Sequence, residues 1–201
     1  MEILKIKHSG FTLVEFVIAI SIFVIFATLL LANYPAFLSR SSIDSLAHEI
    51  ALTVRQAREY GQNIRLGAFT GGKKESYGVY FSALDQRSFV LFADLDNSKD
   101  YDSLPCGDTG TECLENLAIT STARIVDLCG DVKTEGLTVD DPIATCGLSS
   151  LYITFTRPNP DAYIQDSEGR VYSDAEIVVS SVRGIDKKVV VVWTTGQILV
   201  E

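Results

Sequence analysis

Oxygen-bearing side chains recur at every second position from Asp94 to Asp102: Asp94, Asp96, Ser98, Asp100 and Asp102. Hard divalent cations take such ligands, and the spacing resembles the first part of a calcium loop. Two residues depart from an EF-hand. Lys99 stands where that loop has Gly, and Pro105 stands where it has its bidentate Glu. No pair of helical patterns flanks the run. A calcium site between strands is one expectation; a solvated acidic turn closing the strand Ser88–Ala93 is the other. The four Cys come next, at 106, 113, 129 and 146. Their even number and polar intervening loops suit two disulfides in an oxidising compartment. Of the three connectivities, Cys106–Cys113 with Cys129–Cys146 is the one expected. There is no C-x-x-C pair, and His8 and His48 lie far away in sequence, which argues against zinc.

Catalytic chemistry finds little footing, and no catalytic residue is assigned. Past the N-terminal leader the single His is His48, on a predicted helix. No G-x-S-x-G is present. Gly71-Gly72-Lys73-Lys74 lacks the P-loop spacing and reads as a hairpin turn. Asp140-Asp141 is a carboxylate pair in a loop, where solvation is its expected role. The chain is therefore expected not to be an enzyme, with no cofactor apart from the calcium alternative. Its net charge is −9. Lys5 and Lys7 outweigh Glu2 in the leader, so the remainder is more acidic still. That balance disfavours direct nucleic-acid binding, although Arg55, Arg58 and Arg65 form a local basic group.

One carboxylate stands apart from these loops. Glu15 heads an apolar run in which Phe16 to Ala32 carries no charge, and Ser21 and Thr28 are its only polar members. A charge near the centre of a bilayer costs roughly 2.5–3.5 kcal/mol on insertion scales. Phe11 to Ala32 would extend about 33 Å as α-helix, enough to cross the hydrocarbon core. A cleavable secretory signal has a shorter apolar core and a small-residue site behind it. A plain anchor accounts for the length, but not for Gly10 or Glu15. The basic leader keeps the N-terminus cytoplasmic and places the bulk of the chain outside.

The remaining elements follow from periodicity. Pro35 predicts a kink or short break. Ser41 or Ser42 then caps a second helical pattern with Ile43, Leu46, Ala47, Ile50, Ala51, Val54 and Ala57 on one stripe, and Gly61 stops it. Beyond Gly61 the period shortens to two. Strands are predicted over Asn63–Phe69, Tyr77–Phe81, Ser88–Ala93, Ala123–Leu128, Leu151–Phe155, Tyr163–Ile164 and Ala175–Ser181. A terminal hairpin, Lys188–Thr194 and Gln197–Val200, turns at Thr195-Gly196. The fold class is α+β: a long N-terminal helix, transmembrane first and amphipathic second, packed on an antiparallel β-sheet domain. The expected divisions are a leader over 1–10, a transmembrane part over 11–32, an amphipathic part over 33–61, and a β-domain over 62–201 with a disulfide-bearing loop over 94–147.

Gly10, Phe11, Thr12-Leu13-Val14-Glu15 and the apolar helix behind them resemble the prepilin signal of type IV pilins and type II secretion pseudopilins. The resemblance implies cleavage after Gly10 by a prepilin peptidase, methylation of the new amine of Phe11, and an inner-membrane subunit. Its β-domain would be periplasmic or extracellular. It also implies assembly with other pilin or pseudopilin subunits, in which Glu15 pairs with a neighbour's N-terminal ammonium. Leu46 to Gly61, with its Ala57-Arg58 pair, resembles the helix end of the GspH/FimT group of minor pseudopilins. The closing hairpin Val189–Trp193, Gly196 and Ile198–Val200 is similar to that group's C-terminal strands. The reading is thus a minor pseudopilin. The alternatives are a type IV minor pilin in adhesion or DNA uptake, a membrane-anchored calcium-binding adhesin, or a periplasmic binding domain.

Overall fold

A computed structural model of the chain describes residues 12–62, 76–102, 106, 111–131, 145–159, 161–182, 184 and 186–201. Gly10, Phe11, Arg65, the predicted strand Asn63–Phe69, the Gly71–Lys74 turn and Asp140-Asp141 lie outside the described residues. The chain forms two compact units, residues 1–38 and 39–201.

One helix, α1 (Leu13–Gln62), contributes to both units. In the first unit its apolar side chains stand exposed, Leu13, Phe16, Phe23 and Leu30 among them. Leu13–Leu31 is long and apolar enough to cross a membrane. The helix is unbroken at Pro35, so the short break that the sequence allowed there does not occur. Proline removes one backbone donor, and its fixed φ remains compatible with helix. Ser41 and Ser42 consequently lie inside α1 and cap nothing. The Ser42 hydroxyl instead donates to the Ser39 carbonyl at 2.9 Å and shares a hydrogen bond with Thr122 at 2.9 Å.

The second unit holds the core. All seven residues of the predicted stripe are buried: Ile43, Leu46, Ala47, Ile50, Ala51, Val54 and Ala57. Full burial of each Ile, Leu or Val in that stripe stabilises by about 1.5–3 kcal/mol. Gly61 lies within the last turn of α1 and is not its stop. A Cβ there would stand 2.7 Å from the Phe155 carbonyl oxygen and 2.8 Å from the Phe155 Cβ, so Gly61 permits close approach to a strand.

The strands are β1 (Ser76–Ser82), β2 (Ser88–Asp94), β3 (Cys113–Ala118), β4 (Ala123–Gly130), β5 (Thr145–Cys146), β6 (Ser150–Thr156), β7 (Ala162–Gln165), β8 (Val171–Tyr172), β9 (Asp174–Ser181), β10 (Lys187–Trp193) and β11 (Ile198–Val200). They build a six-stranded sheet, β3-β2-β1-β6-β7-β8, and a five-stranded sheet, β11-β10-β9-β4-β5. Every pairing is antiparallel. Val79, Phe81, Leu91 and Ile153 of the first sheet join Ile125, Ile177, Val179 and Val190 of the second, with the α1 stripe, in one hydrophobic cluster.

The first sheet is buried on its other face as well. Val90, Phe92 and Tyr152 gather there with Tyr101, Cys113, Tyr80 and Cys106. The alternation of the strands explains this: Phe89 and Leu91 face the main core, and Val90 and Phe92 face the second cluster. The Tyr101 ring sits 5.4 Å from Tyr80 and 5.5 Å from Phe92, which seats the segment after β2 on the sheet. Cys106 pairs with Cys113, and Cys129 pairs with Cys146 across β4 and β5. Both pairings are those expected from the sequence.

Candidate functional sites: the helix head and the acidic loop

At the head of α1, Thr12 and Glu15 satisfy each other. The Glu15 amide donates to the Thr12 hydroxyl oxygen at 3.3 Å. In return Glu15 Oε2 accepts the Thr12 amide at 3.0 Å and the Thr12 hydroxyl at 2.9 Å. This is a capping box, in which two otherwise orphaned donors of the first turn find partners reciprocally. Its T-x-x-E signature was open to reading in the sequence. Further along, the Ser21 hydroxyl donates to the Val17 carbonyl at 2.7 Å and the Thr28 hydroxyl to the Ile25 carbonyl at 2.8 Å. Every polar side chain of the run from Thr12 to Leu31 therefore has a partner within its own helix, as a lipid environment requires. Only Glu15 among them carries a charge.

The prokaryotic N-terminal methylation motif matches residues 5–31. The stretch includes Gly10, Phe11 and Glu15, and it ends where the apolar segment ends. The chain is a type IV pilin-like protein. Comparison with curated proteins and with solved structures finds no match. In a pilin-like chain the motif implies processing by a prepilin peptidase and assembly with other pilin subunits. In the second unit of this pilin-like chain the end of α1 meets the closing hairpin. Arg58 Nη1 donates to the Gly196 carbonyl at 2.9 Å, which ties the end of α1 to the turn between β10 and β11. Arg58 is thereby engaged within the fold, whereas Arg55 is exposed. His48 is exposed on α1.

The acidic loop of the pilin-like chain starts at the last residue of β2. Asp94 is fully buried. Its Oδ2 accepts the Lys99 amide at 3.2 Å and lies 3.6 Å from Lys99 Nζ. Lys99 has φ of 73°, a left-handed conformation for which Gly is the usual residue. That backbone turns its side chain inward. Nζ donates to Ser76 Oγ at 2.6 Å, Asn97 Oδ1 at 2.7 Å and Thr156 Oγ1 at 2.8 Å. The ammonium thus joins β1, the loop and β6. Asp96 is exposed and accepts the Ser98 amide at 3.0 Å. Hydrogen bonds from Ser98 hold its carboxyl below the usual range.

Glu112 also belongs to this site, although it is distant in sequence. It is buried, and it accepts the Leu95 amide at 3.0 Å and the Asp102 amide at 3.3 Å. Burial pushes it up to about 7 against those two hydrogen bonds, with the charges of Asp102 and Asp94 adding to the rise. Burial likewise raises Asp94, against the Lys99 charge. Oxygens of Asp94, Asp96 and Glu112 lie within 4.8 Å of one another. Of the five alternating residues, the structure brings Asp94 and Asp96 into this group and supplies Glu112 as its third member. Ser98 contributes its amide to Asp96, Asp102 its amide to Glu112, and Asp100 is half-buried. The one signal of Glu112 in the sequence was its position beside Cys113, which the disulfide fixes to the sheet.

Proposed function

We propose that the chain is a minor pseudopilin of the GspH/FimT kind, a structural subunit of a type II secretion pseudopilus or a related pilus-like filament. Prepilin peptidase cleaves it after Gly10 and methylates Phe11. The subunit resides in the inner membrane with its N-terminus cytoplasmic, and it acts by assembly, without catalysis of its own. The observation that carries this reading is Glu15, the single charge at the head of a membrane-length helix within a methylation motif. In the free subunit Thr12 partners the carboxylate. In a filament of parallel helices a neighbour's terminal ammonium replaces or joins Thr12, and a desolvated pair formed only on assembly sets register. The Arg58–Gly196 contact supports the narrower assignment, because it links the two stretches that resemble that group. The paired Cys fit an oxidising compartment.

Intact mass of the chain, expressed with and without a prepilin peptidase, tests the processing step. Loss of the first ten residues and gain of a methyl group are expected only with the peptidase. A chain that stays whole beside an active peptidase overturns the reading. Glu15→Val is expected to insert and be processed yet to stay out of filaments, and normal incorporation of that variant overturns the role given to the carboxylate.

A further inference from the structure

The geometry points to a divalent-cation site of calcium type at the end of β2, with Asp94, Asp96 and Glu112 as its carboxylate ligands. No two of the three carboxylate oxygens lie more than 4.8 Å apart, about twice the usual calcium–oxygen distance, as ligands of one shared ion require. Proximity of acids alone would mean little. The second observation is Asp94 Oδ1, which belongs to a fully buried side chain and has no hydrogen-bond partner among the described residues. A buried carboxylate oxygen left without a donor carries a desolvation cost that a bound cation removes.

Lys99 covers the other side of Asp94. Its ammonium engages Oδ2 together with Ser76 and Thr156. Among the described residues, Lys99 is the cation paired with this group of three carboxylates. Asp96 supplies the exposed edge through which an ion enters. Glu112 supplies the closing ligand, and Cys113 beside it is fixed by its disulfide. The ligand set is all oxygen and is carried partly by a loop. Calcium accepts that irregular geometry, whereas magnesium demands a near-ideal octahedron at shorter distances. The site thus follows from where the chain folds Glu112, and it departs from the EF-hand spacing of the run itself.

The test uses the full chain in detergent, stripped with chelator and then titrated with calcium chloride. With calcium at about a hundredfold its dissociation constant, the melting temperature is expected to rise by roughly 5–10 °C. Terbium supplies an independent readout. Its emission should be sensitised by Tyr101, whose hydroxyl is raised by burial and by the Glu112 charge, and added calcium should quench it. Asp96→Asn can still accept the Ser98 amide, so folding is not at stake in that variant. It should keep a melting temperature close to the parent in chelator and lose both responses. A parent whose melting temperature is unchanged by calcium overturns the site, as does an equal rise with sodium chloride at matched ionic strength. An Asp96→Asn variant that binds terbium and calcium as the parent does overturns the ligand assignment.

Discussion

Glu15 and Asp94 are both carboxylates attached to apolar elements, and their surroundings differ in one decisive way. Glu15 takes its partners from the head of its own helix, Thr12 alone among the described residues. Asp94 takes its partners from several elements: Lys99 from the loop, and through Lys99 the hydroxyls of Ser76 on β1 and Thr156 on β6. A carboxylate served by one local donor can exchange it for a partner on another molecule without disturbing the fold. A carboxylate wired to two strands cannot. The first is suited to an interface that forms and breaks, the second to a fixed part of the domain. Substitutions at the two sites should therefore separate assembly from stability.

The sharpest separation is Glu15→Gln. Glutamine at the third helical position preserves a capping box and removes the charge. Incorporation into filaments should fall at least about tenfold, which a lost coupling of only about 1.4 kcal/mol per contact would produce. The melting temperature of the β-domain should not move. Filament yield by shearing and immunoblot, beside a thermal melt of the same preparation, reads both quantities. Incorporation at the parent level would show that capping, and not charge, is what the position supplies.

The opposite pattern is expected where the helix meets the core. Ile50→Ala removes a fully buried side chain from the α1 stripe and should destabilise by about 2–5 kcal/mol, measured by urea denaturation in detergent. Membrane insertion should remain intact. The stripe was legible in the sequence because seven apolar positions recur at helical spacing and all face one core. The boundaries of α1 were less so. Pro35 and Gly61 are local breakers whose effects here are overridden, the first by the continuity of the helix around it and the second by the approach of Phe155. The long strands were legible from their period. β3 was not, because its residues from Leu114 to Asn116 are exposed at the sheet edge, and the two-residue strands β5 and β8 are too short to carry any period.

The acidic site was half legible for a related reason. Alternation along one segment pointed to Asp94 and Asp96, whereas Glu112 arrives by tertiary folding and a disulfide, which no spacing rule encodes. The second disulfide offers a comparable test away from that site. The Cys129–Cys146 bridge closes a separation of 17 residues. Replacing both Cys with Ser should cost about 3 kcal/mol, chiefly by releasing the unfolded chain, and should shift the denaturation midpoint in non-reducing buffer. Under reducing conditions the difference should vanish.

Lys99→Met probes how firmly the domain fixes Asp94. It keeps much of the side-chain volume but takes the ammonium away from Asp94, Asn97, Ser76 and Thr156. Lys99 is partly exposed, so the cost should fall below that of breaking a fully buried pair, at about 2 kcal/mol. Filament incorporation should change no more than folded yield does. A larger loss in assembly than in stability would place this loop at a subunit interface and undo the contrast with Glu15.

The smallest effect concerns a third carboxylate, with yet another environment. Asp166 is buried, which on its own would push its carboxyl up, but its donors outweigh burial and hold it below the usual range. The Tyr172 hydroxyl reaches it at 2.8 Å and the Arg170 side chain at 2.6 Å, with the Glu168 and Arg170 amides at 2.9 and 3.0 Å. A lowered folded-state value means that the unfolded chain binds the proton more tightly. The stabilisation from Asp166 is therefore complete above its unfolded value of 3.8 and lost as the pH falls below that value through the folded one. Thermal melts of the parent between about pH 5 and pH 2 should lose stability more steeply than those of Asp166→Asn, which has no charge to surrender. Asp94 and Glu112 are shifted the other way, because burial dominates there over the donors present. Parallel slopes for the parent and Asp166→Asn would mean that the hydrogen bonds of this turn persist when Asp166 is protonated, so that its ionised form is not what the turn is built to hold.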